Sequence, residues 1–492
     1  MSEARHTSQP PRGRQITPPA DVPQYSYGWL LPVVGALVAL VFAFAIYKLH
    51  YSYGQAPHRI FKMLLGGAVL IVAGFRPKIA LHAWLLAMPV GEWLPSTGIP
   101  GVNGPNLLFV VLLGSWIIPR IMNGERIGGR TRLSAPIGLF VALLFLSVAR
   151  ATVFPPGSGY EPVAMLKSVW QSALGFSVYY IVANTVRDRR EMRSLVTTLA
   201  VGVLISCMIA FRQYAAFGDA KRISGALGDV NDLAAYFAVC GSFLIPMALT
   251  GGAFAWWRHI VVLAGAAGST VATFLPKSRG AYLGIGVAVL YLSRLIDRRL
   301  FILVLLLLFA SPFWLPGSVL DRIAETRAES VEVVVIGDST DSLDPSAAVR
   351  LDIWRVALAA SVRRPILGHG YGAVPYLTYK QMDKPWSAHS LYVETMGEMG
   401  LVGVAALIWL FASCFKSGHR LMRTASTRFE RRLAIGFLAA TIALMITNVF
   451  GQRLTHVSIA GTYFFMAGFV DRSIALAREE KRVGGEERTD SA

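Results

Sequence analysis

The sequence predicts an all-α, polytopic membrane protein of about 12–14 transmembrane helices with one large loop outside the cytoplasm. Of its 492 residues, 54% are hydrophobic and only 15% are charged, and the mean hydropathy is +0.51. Apolar runs of roughly 17–25 residues, long enough to cross a bilayer as a helix, recur from residue 28 to residue 474. Because these runs are continuous and do not alternate with polar residues, they favour helices over the strands of a membrane barrel.

The predicted organisation has two tails and two membrane regions. Residues 1–27 are polar and rich in proline, which predicts a disordered cytoplasmic tail, and residues 475–492 form a second cytoplasmic tail. Membrane regions are predicted at 28–316 and 390–474. The individual spans are predicted at 28–49, 60–75, 79–94, 106–122, 134–154, 165–186, 195–217, 232–250, 257–275, 281–296, 300–316, 390–415, 433–450 and 455–474. The second and third spans are short, so a count of about twelve stays open.

Basic loops predict the orientation of these spans. Lysine and arginine cluster in 119–132, 187–193, 293–299 and 416–432. With the predicted spans, these four loops fall on the same side as both termini, and by the positive-inside rule that side is the cytoplasm. The formal net charge of +18 is therefore an orientation signal, and it does not predict binding to nucleic acid.

The longest connection, 317–389, is predicted on the opposite, extracytoplasmic side. It is too long for a passive connector, and loops of this size are usually functional. Within it, Leu351, Trp354, Leu358 and Val362 recur at helical spacing. This pattern predicts an amphipathic helix at the membrane interface.

Four basic residues break the orientation pattern because they lie in short outer loops. They are Lys221, Arg222, Lys277 and Arg279. Each lysine taken singly fits a side chain that reaches from a helix end to the interface. Arg222 and Arg279 together predict binding of an anion, because the planar guanidinium matches phosphate oxygens. The two lysines are candidate substrate-binding residues beside them.

His389 lies on the same outer side, at the start of an apolar helix. The positive end of the helix dipole disfavours the imidazolium form, and a neutral imidazole can accept a proton from a hydroxyl group. A structural role stays open for a single histidine at an interface. Glu394 and Glu398 share one face of that helix, which favours a hydrogen-bonded pair that orients its neighbours. Glu394, Arg453 and His456 are further candidate substrate-binding residues.

Four ordered segments resemble the O-antigen ligase and polymerase superfamily of bacterial membrane proteins. They are RISGALGDVNDLAAYFA at 222–238, SRGAYLG at 278–284, RRPILGHGYGA at 363–373 and SAHSLYVETMGEMGLVG at 387–403. The resemblance covers about 200–470 well, and the large outer loop before the histidine is part of it.

The resemblance implies a metal-independent glycosyltransferase of the bacterial inner (cytoplasmic) membrane, with no cofactor. It implies that glycan is taken from an undecaprenyl-diphosphate carrier on the periplasmic face and joined to an acceptor hydroxyl. The acceptor would be lipid A–core in a ligase and another lipid-linked repeat unit in a polymerase, and other polysaccharide-assembly proteins are further partners. By this similarity Arg222 and Arg279 would engage the diphosphate, and His389 would activate or position the hydroxyl. Ligase and polymerase both stay open, as do the sugar and the linkage.

Two other classes of protein compete with this interpretation. A transporter or flippase of lipid-linked glycans would also have many spans, but it would normally show repeated halves, and the sequence shows none. A metal-dependent lipid-sugar transferase would carry paired acidic residues in its first outer loop, and 50–59 has no carboxylate. The nearest acidic pair, Asp229 and Asp232, is predicted to cap a helix.

Overall fold

A computed structural model describes residues 76–93, 96–99, 102–125, 131–313, 347–382 and 384–489. The amino-terminal tail, the spans predicted at 28–49 and 60–75, and residues 317–346 of the predicted outer loop lie outside these residues. The described chain is almost entirely helical, with one short antiparallel pair of strands, Ser96–Ile99 and Val102–Asn103. This confirms the predicted all-α fold class.

The described residues form fourteen α-helices, numbered here in chain order. They are α1 Pro77–Ala87, α2 Gly104–Met122, α3 Ser134–Val153, α4 Pro162–Thr185, α5 Arg189–Phe217, α6 Val230–Ala248, α7 Trp256–Ala272, α8 Arg279–Ile296, α9 Arg298–Phe309, α10 Ala347–Ser361, α11 Val374–Met382, α12 Leu391–Thr424, α13 Arg428–Thr447 and α14 Val457–Thr489. Short 3₁₀ turns at Asn448–Phe450 and Arg453–Thr455 connect α13 to α14.

Six of the described helices are long and apolar enough to cross a membrane. They are α3, α5, α6, α8, α12 and α13, the last together with its following turn to Phe450. These six helices confirm a polytopic helical membrane protein. Helices suit this setting because a helix satisfies its own backbone polar groups in lipid. A total of 12–14 spans stays a prediction, because part of the chain lies outside the described residues.

Helix α6 is the most enclosed of these six, with 78% of its membrane-length window buried. It packs against α7, α8 and α13. Close approach between these helices depends on small residues, as is usual between membrane helices. A Cβ atom at Gly436 of α13 would lie 2.6 Å from the backbone oxygen of Phe243 in α6, so a larger residue there would force the two helices apart.

Helix α12 contains a break that the sequence does not predict. At Gly400 the backbone has φ 63° and ψ −159°, which is outside the helical region. The amide of Leu401 donates to the oxygen of Pro365 at 2.8 Å, and that of Val402 donates to the oxygen of Ile366 at 3.2 Å. The loop before α11 therefore satisfies donors that the break frees. The part of α12 after the break is itself longer than the roughly 20 residues that cross a bilayer.

The substitution Gly400→Ala should lower the stability of the folded protein. A Cβ atom there would lie 2.5 Å from the oxygens of Pro365 and Ile366, and an L residue at this positive φ is strained. Backbone strain of this kind costs about 1–3 kcal/mol, and the steric contact adds to it. The thermal unfolding midpoint of the purified protein would measure the loss. Gly286→Ala is the matched control, because its Cβ would meet only Leu308, at 3.8 Å. Equal midpoints for both variants would contradict the prediction.

A helix is present where one is predicted over 347–365, although α10 ends at Ser361, and its packing face matches the predicted apolar face only in part. Ile353 and Ala357 are fully buried, in a small cluster with Val374, Ala388 and Val393. Of the predicted face, Trp354 packs against this cluster, whereas Leu351 is 52% exposed, Leu358 44% and Val362, just after the helix, 76%. The helix thus offers a second apolar face to its surroundings, as an interfacial helix requires, and its place at the interface stays a prediction.

The predicted orientation can be measured by cysteine labelling. Ser158 in the loop after α3 is predicted outside, and Thr424 at the end of α12 is predicted in the cytoplasm; both are exposed. The native cysteines, Cys207, Cys240 and Cys414, are all buried, so background labelling should be low. An impermeant maleimide should label Ser158→Cys in intact spheroplasts and Thr424→Cys only after permeabilisation. The opposite pattern would reverse the orientation.

Candidate functional site

The loops before α6 and α8 are tied together by the Arg222 side chain. Its Nε donates to the backbone oxygen of Pro276 at 3.2 Å, and its Nη2 donates to Oδ1 of Asn231 at 3.2 Å. Asn231 lies in the first turn of α6, and Pro276 lies three residues before Arg279, which begins α8. The two candidate phosphate-binding arginines therefore lie on two loops that contact each other.

The segment 448–456, which joins α13 to α14, contacts both the start of α8 and the start of α12. A Cβ atom at Gly280 would lie 2.6 Å from Phe450, so α8 begins directly against this segment. The next residue along, Gly451, accepts a hydrogen bond from the amide of Leu391, at 3.0 Å. Because Gly280 follows Arg279 and Leu391 lies two residues after His389, the fold brings these two distant parts of the sequence to one end of the bundle.

The His389 turn is held by several hydrogen bonds. Glu394 accepts from Oγ of Ser387 at 2.6 Å and from the amide of Ala388 at 2.7 Å. From the other side, Nε1 of Trp354 in α10 donates to the oxygen of Ala388 at 2.8 Å. These bonds fix the two residues before His389, and with them the backbone of the turn that carries the imidazole.

Two of the predicted site residues have a backbone conformation that is uncommon for residues other than glycine. Among the described residues, Lys277 with φ 55° and His389 with φ 46° are the non-glycine residues with positive φ. Conformations of this kind are kept only where the surrounding structure imposes them, and they cluster at functional sites. The sequence gives no signal for this strain, because neither residue type requires it.

Glu394 and Glu398 connect the His389 turn to the glycine-rich turn predicted at 367–376. Their carboxyl groups interact with each other across one turn of α12. Glu398 also accepts from the amide of Gly372 at 2.7 Å, and its backbone oxygen accepts from the amide of Gly370 at 2.9 Å. In this arrangement Glu394 contacts the turn that carries His389.

Tyr160, in the loop after α3, contacts the glycine-rich turn at 367–376. Its hydroxyl donates to the backbone oxygen of Tyr371 at 3.0 Å. Burial raises the pKa of Tyr160 to about 12, and the nearby Glu398 and Tyr376 add to the effect. The hydroxyl therefore stays protonated and can keep donating at neutral pH.

Arg453 contacts acidic residues at the start of α6. Its guanidinium forms an ion pair with the carboxylate of Asp232 and lies 3.7 Å from Oδ1 of Asp229, while Nε2 of His456 lies 3.9 Å from Oδ2 of Asp232. Asp229 caps α6, as predicted, by accepting from the amides of Asn231 and Asp232 at 2.8 Å. The pair of Arg453 and Asp232 fixes the segment 448–456 against α6.

Lys221 lies at the edge of this end of the bundle. Its Nζ is 5.5 Å from the centroid of the Phe217 ring, a cation–π distance, and the side chain is exposed. That contact fits the alternative that a lysine at a helix end reaches to the interface. Its predicted role in substrate binding stays a prediction.

The candidate spans and this cluster of basic, histidine and carboxylate residues at one end of the bundle define a polytopic α-helical membrane protein with a polar site built from its loops. Residues 261–408 match the family model described as O-Antigen ligase. The match confirms the resemblance to the O-antigen ligase and polymerase superfamily, and it indicates a part in surface-polysaccharide biosynthesis. It includes Arg279, the glycine-rich turn and His389, and Arg222 lies before it. No curated protein matches the chain by sequence.

Sequence reasoning missed three residues that shape this site. Asp232 was predicted only as part of a helix cap, and its partner Arg453 lies 221 positions further along. The sequence predicts Trp354 only as part of an apolar helix face, yet its indole donates to the turn that carries His389. Gly400 shows no local sign of a break. The pair of Asp232 and Arg453 has one signal in the sequence. An acidic residue in the first turn of one helix and a basic residue in another loop are both predicted on the outer side.

Proposed function

We propose that this protein is a membrane glycosyltransferase that transfers or polymerises undecaprenyl-diphosphate-linked glycan on the periplasmic face of the inner membrane, with both termini in the cytoplasm. The observation that supports this most is the arrangement of the segment 448–456, which contacts the start of α8 beside Arg279 and the start of α12 beside His389. A cation for a diphosphate and a candidate proton acceptor are thereby carried by adjacent elements.

In the proposed reaction, Arg222 and Arg279 bind the diphosphate of the donor. The acceptor hydroxyl gives its proton to His389 while its oxygen forms a bond to the anomeric carbon. The bond from that carbon to the diphosphate oxygen breaks, and the electron pair leaves with undecaprenyl diphosphate. Guanidinium groups placed where this negative charge develops stabilise the transition state electrostatically.

The backbone strain at His389 and the support from Glu394 have a role in this scheme. A general base must lie within hydrogen-bond distance of the proton that it accepts, so its position matters before its basicity does. The hydrogen bonds to Ser387 and Ala388 hold the turn, and the positive φ at His389 points the chain in a direction that an ordinary extended residue would not take. Glu394 is thus proposed as a positioning residue for His389 and not as a direct ligand of the sugar.

Reconstitution with a labelled lipid-linked glycan tests this proposal. We expect the purified protein to release undecaprenyl diphosphate only when an acceptor is present, with label passing to that acceptor. Offering lipid A–core and a lipid-linked repeat unit in parallel would distinguish a ligase from a polymerase. Movement of intact lipid-linked glycan across a vesicle membrane without bond cleavage would instead support the transporter class and contradict the proposal.

A further inference from the structure

An apolar groove of about 400 Å³ lies at the end of α3, next to the loop that packs on the break in α12. Four of its lining side chains are strongly exposed: Leu146 is 56% exposed, Val153 68%, Phe154 60% and Leu367 45%. An exposed apolar surface of this kind marks an interaction site in a soluble protein. At the end of a candidate membrane span it indicates contact with lipid chains.

Arg150 lines the same groove and lacks a matching anion. Its Nε is buried and has no hydrogen-bond partner among the described residues. The positive charge of Arg364 acts on Arg150. The charges of Arg150, Arg363 and Arg364 all act on His369. In the part of the chain that the structure describes, no ion pair includes these three arginines.

Such an arrangement favours the binding of a negative charge beside Arg150. Like charges repel one another, and a buried polar nitrogen without a partner costs free energy. A phosphate group would offset both effects, since arginine binds phosphate oxygens with charge-assisted hydrogen bonds. The apolar surface beside Arg150 offers a place for the hydrocarbon chain of a lipid that carries such a phosphate.

We propose that this groove is a binding site for a lipid that carries a phosphate group, with its chain along Leu146 and Phe154 and its phosphate on Arg150. A volume of about 400 Å³ is within the usual range for ligand pockets. The proposal concerns binding alone and does not depend on the proposed glycan transfer.

The groove is connected to the candidate site through one buried serine. Oγ of Ser147 donates to the backbone oxygen of Glu398 at 3.0 Å, and the backbone oxygen of Ser147 accepts from the amide of Tyr371 at 3.2 Å. Glu398 in turn contacts Glu394, which holds the His389 turn. A lipid bound in the groove would therefore lie next to the network that positions His389.

Binding of radiolabelled dioleoyl phosphatidic acid to the full-length protein in detergent tests the proposal. Arg150→Gln should weaken binding about tenfold, the loss expected when a hydrogen bond to a charged group is removed. Leu146→Trp should fill the groove and weaken binding to a similar degree. The matched controls are Arg212→Gln, an exposed arginine of α5, and Leu139→Trp, an exposed leucine of α3 outside the groove. Both should bind as the wild type does.

Two competitors identify what is recognised. Unlabelled dioleoyl glycerol, which has no phosphate, should displace the probe poorly, and inorganic phosphate should compete only at far higher concentrations than the lipid. Wild-type affinity in both Arg150→Gln and Leu146→Trp would overturn the proposal. Equal competition by dioleoyl glycerol, or by inorganic phosphate at the lipid's concentration, would overturn it as well. If Arg150→Gln does not fold, Leu146→Trp, at an exposed lining residue, decides in its place. Since none of these readouts involves glycan transfer, they fail or succeed independently of the proposed function.

Discussion

His389→Ala is expected to bind lipid-linked glycan as the wild type does and to transfer it about 10²–10⁴-fold more slowly, which is the loss typical of a missing general base. Donor binding survives because the diphosphate is assigned to Arg222 and Arg279, on other elements of the site. Single-turnover transfer measured alongside donor binding would separate the two effects. A loss of donor affinity with unchanged chemistry would contradict the assignment.

Two further variants distinguish proton transfer from positioning at His389. His389→Gln keeps a hydrogen-bonding group but cannot accept a proton in the working range, and near-normal activity would leave only a positioning role. His389→Asn is the better match to the backbone, since asparagine tolerates the positive φ of 46° found there. Both variants should be inactive yet folded. A fully active Asn variant would exclude proton transfer by this residue.

The rate of glycan transfer should depend on pH through the protonation of His389. A base must be neutral to accept a proton, so activity should be present on the alkaline side and fall as acid protonates the imidazole. A rate that is independent of pH between about 5 and 8, with chemistry limiting, would rule out the base assignment.

Arg279→Ala should abolish glycan transfer without loss of folded protein, and Arg279→Lys should recover little of it. The planar fork of arginine binds two phosphate oxygens at once, which a lysine ammonium does not. Loss of two charge-assisted hydrogen bonds should lower kcat/KM by at least about 100-fold. Steady-state kinetics with varied donor concentration would measure it. Arg294→Ala, in the last turn of the same helix α8, is the matched control and should be close to wild type.

Arg222→Ala should also slow glycan transfer. This loss should depend less on the charge of the side chain than the loss at Arg279 does. Its guanidinium already donates to Pro276 and Asn231, so part of any loss in Arg222→Ala comes from the ordering of the loop before α8. If lysine at both positions 222 and 279 supported full activity, bidentate phosphate binding would be wrong. General positive charge at this end of the bundle would then suffice.

The fold class and several local features of this protein are determined by its sequence alone. Continuous apolar runs predict membrane helices because lipid leaves a backbone no other partner for its polar groups, and this local requirement is readable without a structure. The cap formed by Asp229 and a helix within the predicted range 347–365 are local in the same sense, and the structure contains both. The resemblance in four segments indicated the superfamily that the match at 261–408 confirms.

Only the tertiary structure decided how these pieces meet. The break at Gly400 depends on the oxygens of Pro365 and Ile366, and the ion pair of Arg453 with Asp232 joins residues far apart in the chain. The same holds for α10, where contacts with Ala388 and its neighbours bury Ile353 and leave Leu351 exposed. Hydropathy cannot distinguish a side chain that faces lipid from one that faces another helix, because both surroundings are apolar. Which face packs, and which residues the packing brings together, is therefore fixed by non-local contacts.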